Sequence, residues 1–433
     1  MTQIKLFCLA FFLLAANAFA APESLNLRAI IALGLKSSPQ VKKAEATLEA
    51  ARADTKQKFG AFLPEIIAKS SAITRENPAT PGTILSFNST EDYEAHLEAR
   101  QMLYTGGALT ASIALQRTKE DIAKLGLVSA RQTLVSDLVT LYYDIAENEQ
   151  NLKAAEEHVD ILQSYARIIT RYQKIGRARS TDRLQAEVNL QTALSELASV
   201  NSVLNERLES LRVRLELQET PKSVDVSGIT IQSTEKLDEK KALESAFSAN
   251  PSLLIKAKAQ DQIKAEKDVD LAIDMPKVFL AGQIGYRSPD QKRLFDKETE
   301  YNFVSLNVEV PLFSGLSSIY KRQSFSDRQV AASMDLHIER QITESGLRAG
   351  IKDLEYHFSR LQTARKAATQ AREALIIANK DYERGLISSQ DVVSIQRTRY
   401  ESEKLFIRSQ FEYLKALLKV RTLMGINLEK TYG

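Results

Sequence analysis

The sequence predicts a mainly α-helical chain that carries a small membrane β part and is written twice. Three observations carry this prediction. Two long stretches are free of proline, with none between Pro81 and Pro221 and none after Pro311. Four segments, at about 65–75, 93–103, 277–287 and 301–311, alternate between apolar and polar residues. The same landmarks recur at a nearly constant spacing.

The recurrence defines the domain plan. Leu25-Asn26-Leu27-Arg28 through Ser38-Pro39 resembles Leu237-Asp238-Glu239-Lys240 through Asn250-Pro251, an offset of 212, which Leu63-Pro64 and Met275-Pro276 share. LYTGG at 103–107 matches LFSGL at 312–316, and Gly176 and Asp182 match Gly385 and Asp391, at an offset of 209. The plan is therefore an N-terminal export signal at 1–20, a first structural repeat at 21–218, a polar linker at 219–236 and a second repeat at 237–433.

The proline-free stretches are rich in Ala, Leu, Glu, Gln and Arg and read as helix. Long helices are expected at about Thr110–Lys174 and Ser318–Arg384, with return helices at Thr181–Leu217 and Ser389–Met424. At 1.5 Å per residue each long helix reaches roughly 95–100 Å. Leu134, Leu138, Leu141, Ile145 and Leu152 recur at three and four, as in a coiled-coil seam. Gly176 and Gly385 end the long helices, and Ser and Thr residues then start the return helices.

The four alternating segments keep their phase across the repeat. One face carries Ile66, Leu97, Val278, Leu280, Val304, Leu306 and Val308. The other carries Glu65, Lys69, Glu98, Arg100, Asn307 and Glu309. A soluble, half-buried sheet would alternate in the same way. The segment length matches a tilted membrane strand, and Tyr93, Tyr286, Tyr301 and Phe303 lie near the loop ends, where an aromatic girdle belongs. Four strands cannot close a barrel, and lipid tolerates no open edge, so other copies must complete the sheet. Two copies would give eight strands with a filled interior, and three would give twelve around an open lumen. The charged face favours the larger number, with the apolar face toward lipid.

Composition agrees with export. Lys5, the apolar run LFCLAFFLLAA and Ala18-Phe19-Ala20 form a secretory signal with cleavage expected after Ala20. The single cysteine, Cys8, lies within that run, so the mature chain has neither a disulfide nor a thiolate metal site. Without Lys5 the chain keeps 57 basic and 55 acidic residues, a balance that gives no case for nucleic acid. No apolar run of 18 residues follows the signal, so no transmembrane helix is expected.

An N-terminal helix ending in SP or NP, a helix ending in LP, a strand pair ending in LYTGG or PLFSGL, and hairpins that turn at Gly with Asp six residues on, all duplicated, resemble the TolC family of outer-membrane channel proteins. The resemblance implies a homotrimer. Four strands per protomer would form a twelve-stranded β-barrel in the outer membrane of a Gram-negative envelope, and the hairpins a twelve-helix α-barrel across the periplasm, joined near its equator by the linker, an equatorial segment, and the chain ends. It implies the exit duct of a tripartite efflux pump or a type I secretion system. A periplasmic adaptor would couple that duct to an inner-membrane RND or ABC transporter. The hairpin tips would meet the adaptor, making Gly176, Arg177, Arg179, Gly385, Leu386 and Ile387 candidate contacts, with Leu386 and Ile387 exposed. Asp391, about one and a half turns into its return helix, and its counterpart Asp182 would belong to an acidic constriction at the periplasmic mouth. Ser394 stands where the family carries a second acid.

No enzyme chemistry is legible. His96, His158, His337 and His357 are scattered without metal-ligand spacing, the last three reading as surface or seam residues. No phosphate loop, dinucleotide fingerprint or nucleophile elbow occurs, and no cofactor is expected. The alternatives are a periplasmic adaptor, a structural coiled-coil protein of the envelope, or a passive porin.

Overall fold

The computed structural model describes residues 24–74, 91–226, 237–313 and 315–433. The expected export signal at 1–20, residues 75–90 and most of the linker lie outside these residues. In chain order the elements are β1 (Ser24–Leu25), α1 (Leu27–Ser37), α2 (Pro39–Gly60), β2 (Glu65–Thr74), β3 (Glu91–Tyr104), α3 (Ala108–Lys174), α4 (Ser180–Leu215) and β4 (Ser223–Val224). They continue with α5 (Glu239–Ala249), α6 (Pro251–Leu271), β5 (Lys277–Ser288), β6 (Glu300–Glu309), α7 (Ser317–Glu383), α8 (Ser389–Leu423) and α9 (Leu428–Tyr432). Expected helices and strands appear within about two residues of their bounds. No described helix is long and apolar enough to cross a membrane.

The element bounds keep the offsets read from the sequence. Leu27 and Glu239 begin α1 and α5, and Pro39 and Pro251 begin α2 and α6, both 212 residues apart. Proline suits that first helical position because its missing N–H would have no partner there. Asn26 and Asp238 accept N–H bonds from Ala29 and Lys240 as N-caps, at 2.8 and 2.9 Å. α3 and α7 each hold 67 residues.

The chain divides into two compact units, to both of which α3 and α7 contribute. One comprises Ala44–Leu127 and Ser252–Glu339 and contains a four-stranded antiparallel sheet in the order β2-β3-β5-β6. The other comprises Met1–Lys43, Val128–Pro251 and Arg340–Gly433. Its core is the seam foreseen on α3, where Leu134, Leu138, Leu141 and Ile145 are buried. Gly34 on α1 lets that helix approach closely, since a Cβ there would lie 2.4 Å from Leu138 Cδ1.

The resemblance implied that the linker and chain ends join the helices; three features of this second unit give that junction a form the sequence did not specify. β1 pairs in parallel with β4, so the linker begins as a strand partner of the N-terminus. The linker is also tied to α3: Tyr142 Oη donates to the Asp225 carbonyl, and Val224 N–H donates to Glu149 Oε1 at 2.8 Å. The C-terminal residues Leu428–Tyr432 form α9.

The return helices end alike but on different residues. Leu217 N–H bonds the Arg212 carbonyl at 3.0 Å, and Ile426 N–H bonds the Arg421 carbonyl at 3.2 Å. Both closures need a left-handed residue, filled by Glu216 (φ 54°) and by Gly425 (φ 71°). A Cβ on Gly425 would also lie 2.5 Å from the Ala249 carbonyl carbon. Gly425→Ala is therefore expected to destabilise the protein by about 2–4 kcal/mol, the left-handed cost plus overpacking. Glu216→Gly should stabilise it by about 0.5–1 kcal/mol, because glycine removes the left-handed cost but adds unfolded-state entropy. Thermal unfolding of the purified variants checks both signs.

Candidate functional site

Two regions carry the candidate residues: the sheet and the hairpin turns. In the sheet, pairing register decides which side chains share a face. Glu65 lies opposite Arg100, Lys69 opposite His96, and Lys277 opposite Glu309. Glu98 and Asn307 share the parity of these residues, so all six expected polar positions fall on one face. Ile66, Leu97, Val278, Leu280, Val304, Leu306 and Val308 fall together on the other.

The charged face is paired within itself. Glu98 is only 4 % exposed, boxed between two cations. Lys69 Nζ donates to its Oε2, and Arg100 Nη2 lies 3.0 Å from its Oε1. Arg287 grips Asp92 with two bonds of 3.0 and 2.6 Å. Asn307 Nδ2 donates to Ser305 Oγ at 3.0 Å. The Arg100 guanidinium stands 5.2 Å from the Phe279 ring centre on the same face.

The apolar face has no such cover. Ile66, Leu97, Val304, Leu306 and Val308 are all exposed, forming a patch across strands rather than scattered residues. Such patches on a protein surface mark contact with lipid or another protein. The aromatic girdle expectation needs correction. Tyr93 and Tyr286 lie on the apolar face, but Tyr301 and Phe303 lie on the charged one, where Tyr301 Oη donates to Glu94. The cause is parity: 301 and 303 point the same way as 305 and 307.

The hairpin turns are built alike. Arg177 N–H bonds the Tyr172 carbonyl and Leu386 N–H the Asp381 carbonyl, each at 2.8 Å. Gly176 and Gly385 are both at φ 75°, with open space where a Cβ would stand, so conformation alone calls for glycine. Between the turns lies a cleft of about 830 Å³ lined by Arg177, Arg179, Asp182 and Arg384 among others. Tyr165 Oη ties the turns together, lying 2.7 Å from Ser389 Oγ.

Leu386 is exposed as expected, at 69 %. Ile387 is not. It is half-buried against the cluster of Tyr165, Ile169, Ala186 and Val392. Directly after the glycine the chain points outward, and one residue later it has turned back to start α8. Ile175, which the sequence reading passed over, is exposed beside Gly176. The signal for it was an apolar residue just before a helix-ending glycine.

The two acids are capping residues. Asp391 Oδ2 accepts from Ser388 N–H at 2.9 Å and from Ser388 Oγ at 2.7 Å, while Asp391 N–H donates to Ser388 Oγ at 3.3 Å. Asp182 Oδ2 accepts from Arg179 N–H at 3.1 Å. The bonds from Ser388 hold the Asp391 carboxyl below its ordinary titration range. Asp391 lies in the first turn of α8, not one and a half turns in, because three of the six residues after Gly385 belong to the turn itself. Ser394 is exposed one turn further on.

The histidines do not converge. His158 is buried in the helical seam and stacked on Tyr400, with ring centres 4.3 Å apart. Burial lowers its pKa. Among the described residues no cluster of three or more His, Cys, Asp or Glu could hold a metal ion.

This arrangement agrees with what the chain is similar to. Residues 30–215 and again 242–426 match the Outer membrane efflux protein family, and the chain belongs to that family. The outer membrane protein TolC of Vibrio cholerae is 22 % identical over 408 residues, covering 92 % of this chain and 90 % of that protein. The protein CyaE of Bordetella pertussis is 22 % identical over 302 residues, 70 % of this chain and 63 % of its own. Among solved structures, the Campylobacter jejuni CmeC outer membrane channel superposes with a TM-score of 0.77 at 15 % identity, covering 92 % of this chain and 85 % of the other. The outer-membrane channel OprN superposes with a TM-score of 0.79 at 16 % identity, covering 93 % and 90 %.

The two faces are separable by labelling, since the only cysteine, Cys8, lies in the expected export signal. Glu98 is a poor probe, because replacing it strands Lys69 and Arg100. Single cysteines at Ser71 and Asn307 should react with a membrane-impermeant thiol reagent. Those at Leu97 and Leu306 should react only with a lipid-partitioning one. The reverse pattern would turn the sheet inside out.

Proposed function

We propose that this protein is the outer-membrane exit duct of a tripartite efflux pump or type I secretion system, working as a homotrimer. The observation that carries this reading is a four-stranded sheet with an exposed apolar face and two edges, on β2 and β6, without a partner strand among the described residues. In hydrocarbon each unpaired backbone group costs several kcal/mol, so each edge would cost on the order of tens. Even strand number resolves the problem. β2 and β6 run in opposite directions, so β6 of one copy can pair antiparallel with β2 of the next around a closed ring. Three copies make a twelve-stranded barrel in outer-membrane lipid, with the charged face on a wet lumen.

The paired hairpins of the two repeats then form the periplasmic α-barrel, twelve helices in the trimer. Their turns receive a periplasmic adaptor coupled to an inner-membrane RND or ABC transporter, which supplies the energy that a duct without enzyme chemistry lacks. The export signal and its cleavage after Ala20 belong to the same reading. Support comes from the family match, the relatives that span the chain, and the two Gly-centred turns. A passive porin would conduct strongly without a partner. An adaptor would have one hairpin, where this chain has two.

Two outcomes test the proposal. Leu386→Asp puts a charge on the most exposed apolar residue of its turn and should abolish export while trimers still assemble in the outer membrane; normal export would make the turn merely structural. Asp391, one per protomer, would give a ring of three carboxylates, with Asp182 and Ser394 beside it. Asp391→Asn keeps the hydrogen-bond acceptor but removes the charge, so the helix cap survives. Bilayer conductance of the variant should lose cation selectivity and block by a trivalent cation. In the unaltered protein both should persist to lower pH than an ordinary aspartate would allow, since the Ser388 hydrogen bonds hold the Asp391 carboxyl below its usual titration range. Unchanged selectivity in the variant would leave Asp391 a cap and place the constriction elsewhere.

A further inference from the structure

We propose that a cleft between α3, α7 and α8 binds an organic cation with an apolar body. The cleft measures about 350 Å³, the lower end of the range for small-molecule sites. Its rim carries three carboxylates, Glu157 and Asp160 from α3 and Glu383 from α7, and no Lys, Arg or His lines it. Arg399 neutralises Glu157 by direct pairing. Among the described residues Asp160 and Glu383 make no ion pair, which leaves two uncompensated negative charges over one small opening.

A second observation is independent of the acids. Gln396 of α8 lines the same cleft and is 2 % exposed, and among the described residues its Oε1 has no hydrogen-bond partner. A buried acceptor left unpaired costs about 1–3 kcal/mol, so such a group calls for a donor from outside the protein. An ammonium or amidinium N–H meets that need, whereas an anion would face two carboxylates without an ion pair and an empty acceptor. The walls include Tyr165, Tyr382, Ile161 and Ile168. The Tyr165 hydroxyl is engaged with Ser389, which fixes its ring, and the Tyr165 and Tyr382 ring centres lie 5.9 Å apart at 54°. Tilted aromatic faces beside carboxylates suit a cation–π contact. A bare metal ion is the wrong size, since no three carboxylates converge closely enough to ligate one.

The site stands on the cleft within one protomer and is tested on the purified protein, in whatever oligomeric state it adopts, without adaptor or transporter, so failure of the duct reading leaves the outcome readable. The probe is ethidium, followed by fluorescence anisotropy at fixed ionic strength. Saturable binding is expected, with competition by tetraphenylphosphonium and none by the anionic dye anilinonaphthalene sulfonate. Asp160→Asn and Glu383→Gln should each weaken binding by about threefold to fivefold, the scale of one partly exposed ion pair. The double variant and Gln396→Leu should weaken it further, while Glu383→Asp stays near the unaltered affinity. Thermal unfolding and oligomer size must match the unaltered protein, which separates lost binding from lost fold. Equal affinity in the double variant, or displacement of ethidium by micromolar Mg²⁺, would overturn the proposal.

Discussion

The demand that every strand edge find a partner constrains this chain more than any other interaction. Within one protomer the sheet offers ten residue pairs between β2 and β3 and ten between β5 and β6, and it then stops at an edge on either side. A soluble protein could cover such edges with a helix or a loop. Here the sheet also leaves a set of large aliphatic side chains uncovered, so edge and face pose the same problem. In the proposed assembly, closure into a ring would satisfy the edges and lipid would cover the face.

The helices meet a different demand. A helix of 67 residues cannot draw its stability from propensity alone and needs a partner along much of its length. In the helical unit that partner surface is not purely apolar. Lys415 of α8 reaches Asp144 at 2.5 Å and Glu147 at 3.0 Å on α3, and Arg372 of α7 grips Glu403 of α8 with bonds of 2.6 and 3.0 Å. Lys404 of α8 meets Glu196 of α4 at 2.6 Å. Burial alone would lower the Lys415 pKa, but its two carboxylates outweigh burial and raise it. Paired charges at stated heights fix which turn of one helix faces which turn of the next, a registry that sliding aliphatic seams specify poorly.

Features with a local physical cause were legible in the sequence. The strands follow from period-two alternation, the long helices from the absence of proline, and the turns from Gly176 and Gly385, whose left-handed backbone L-residues adopt only at a cost. The repeat offsets placed α1, α2, α5 and α6 from short and weak signals. What was missed depends on residues distant in sequence. The pairing of Leu25 with Val224 links segments about 200 residues apart with two-residue strands that have no periodicity to read. The exposure of Ile387 against Leu386 turns on one step of chain direction after a glycine. The unpaired Gln396 acceptor becomes visible only when three helices converge, because Gln on an amphipathic helix otherwise reads as a solvated residue. Tyr301 and Phe303 were legible by parity, and position near a loop was the weaker guide.

Charge is distributed differently in the two regions. On the charged sheet face, Glu65, Asp92, Glu94, Glu98 and Glu309 stand among Lys69, Arg100, Lys277 and Arg287, so the face is nearly neutral and much of it is already paired. A wall of that kind stays wet without favouring either sign of ion strongly. In the proposed duct, selection by charge would then fall to groups whose charge is less compensated, such as Asp391. Its capping bonds both go to Oδ2, and among the described residues none goes to Oδ1. The same bonds keep the carboxyl ionised and hold it in one rotamer. Capping and ion selection therefore do not compete for this residue. The helix start uses one oxygen, orients the side chain and preserves its charge, and those are the properties an acidic constriction would need.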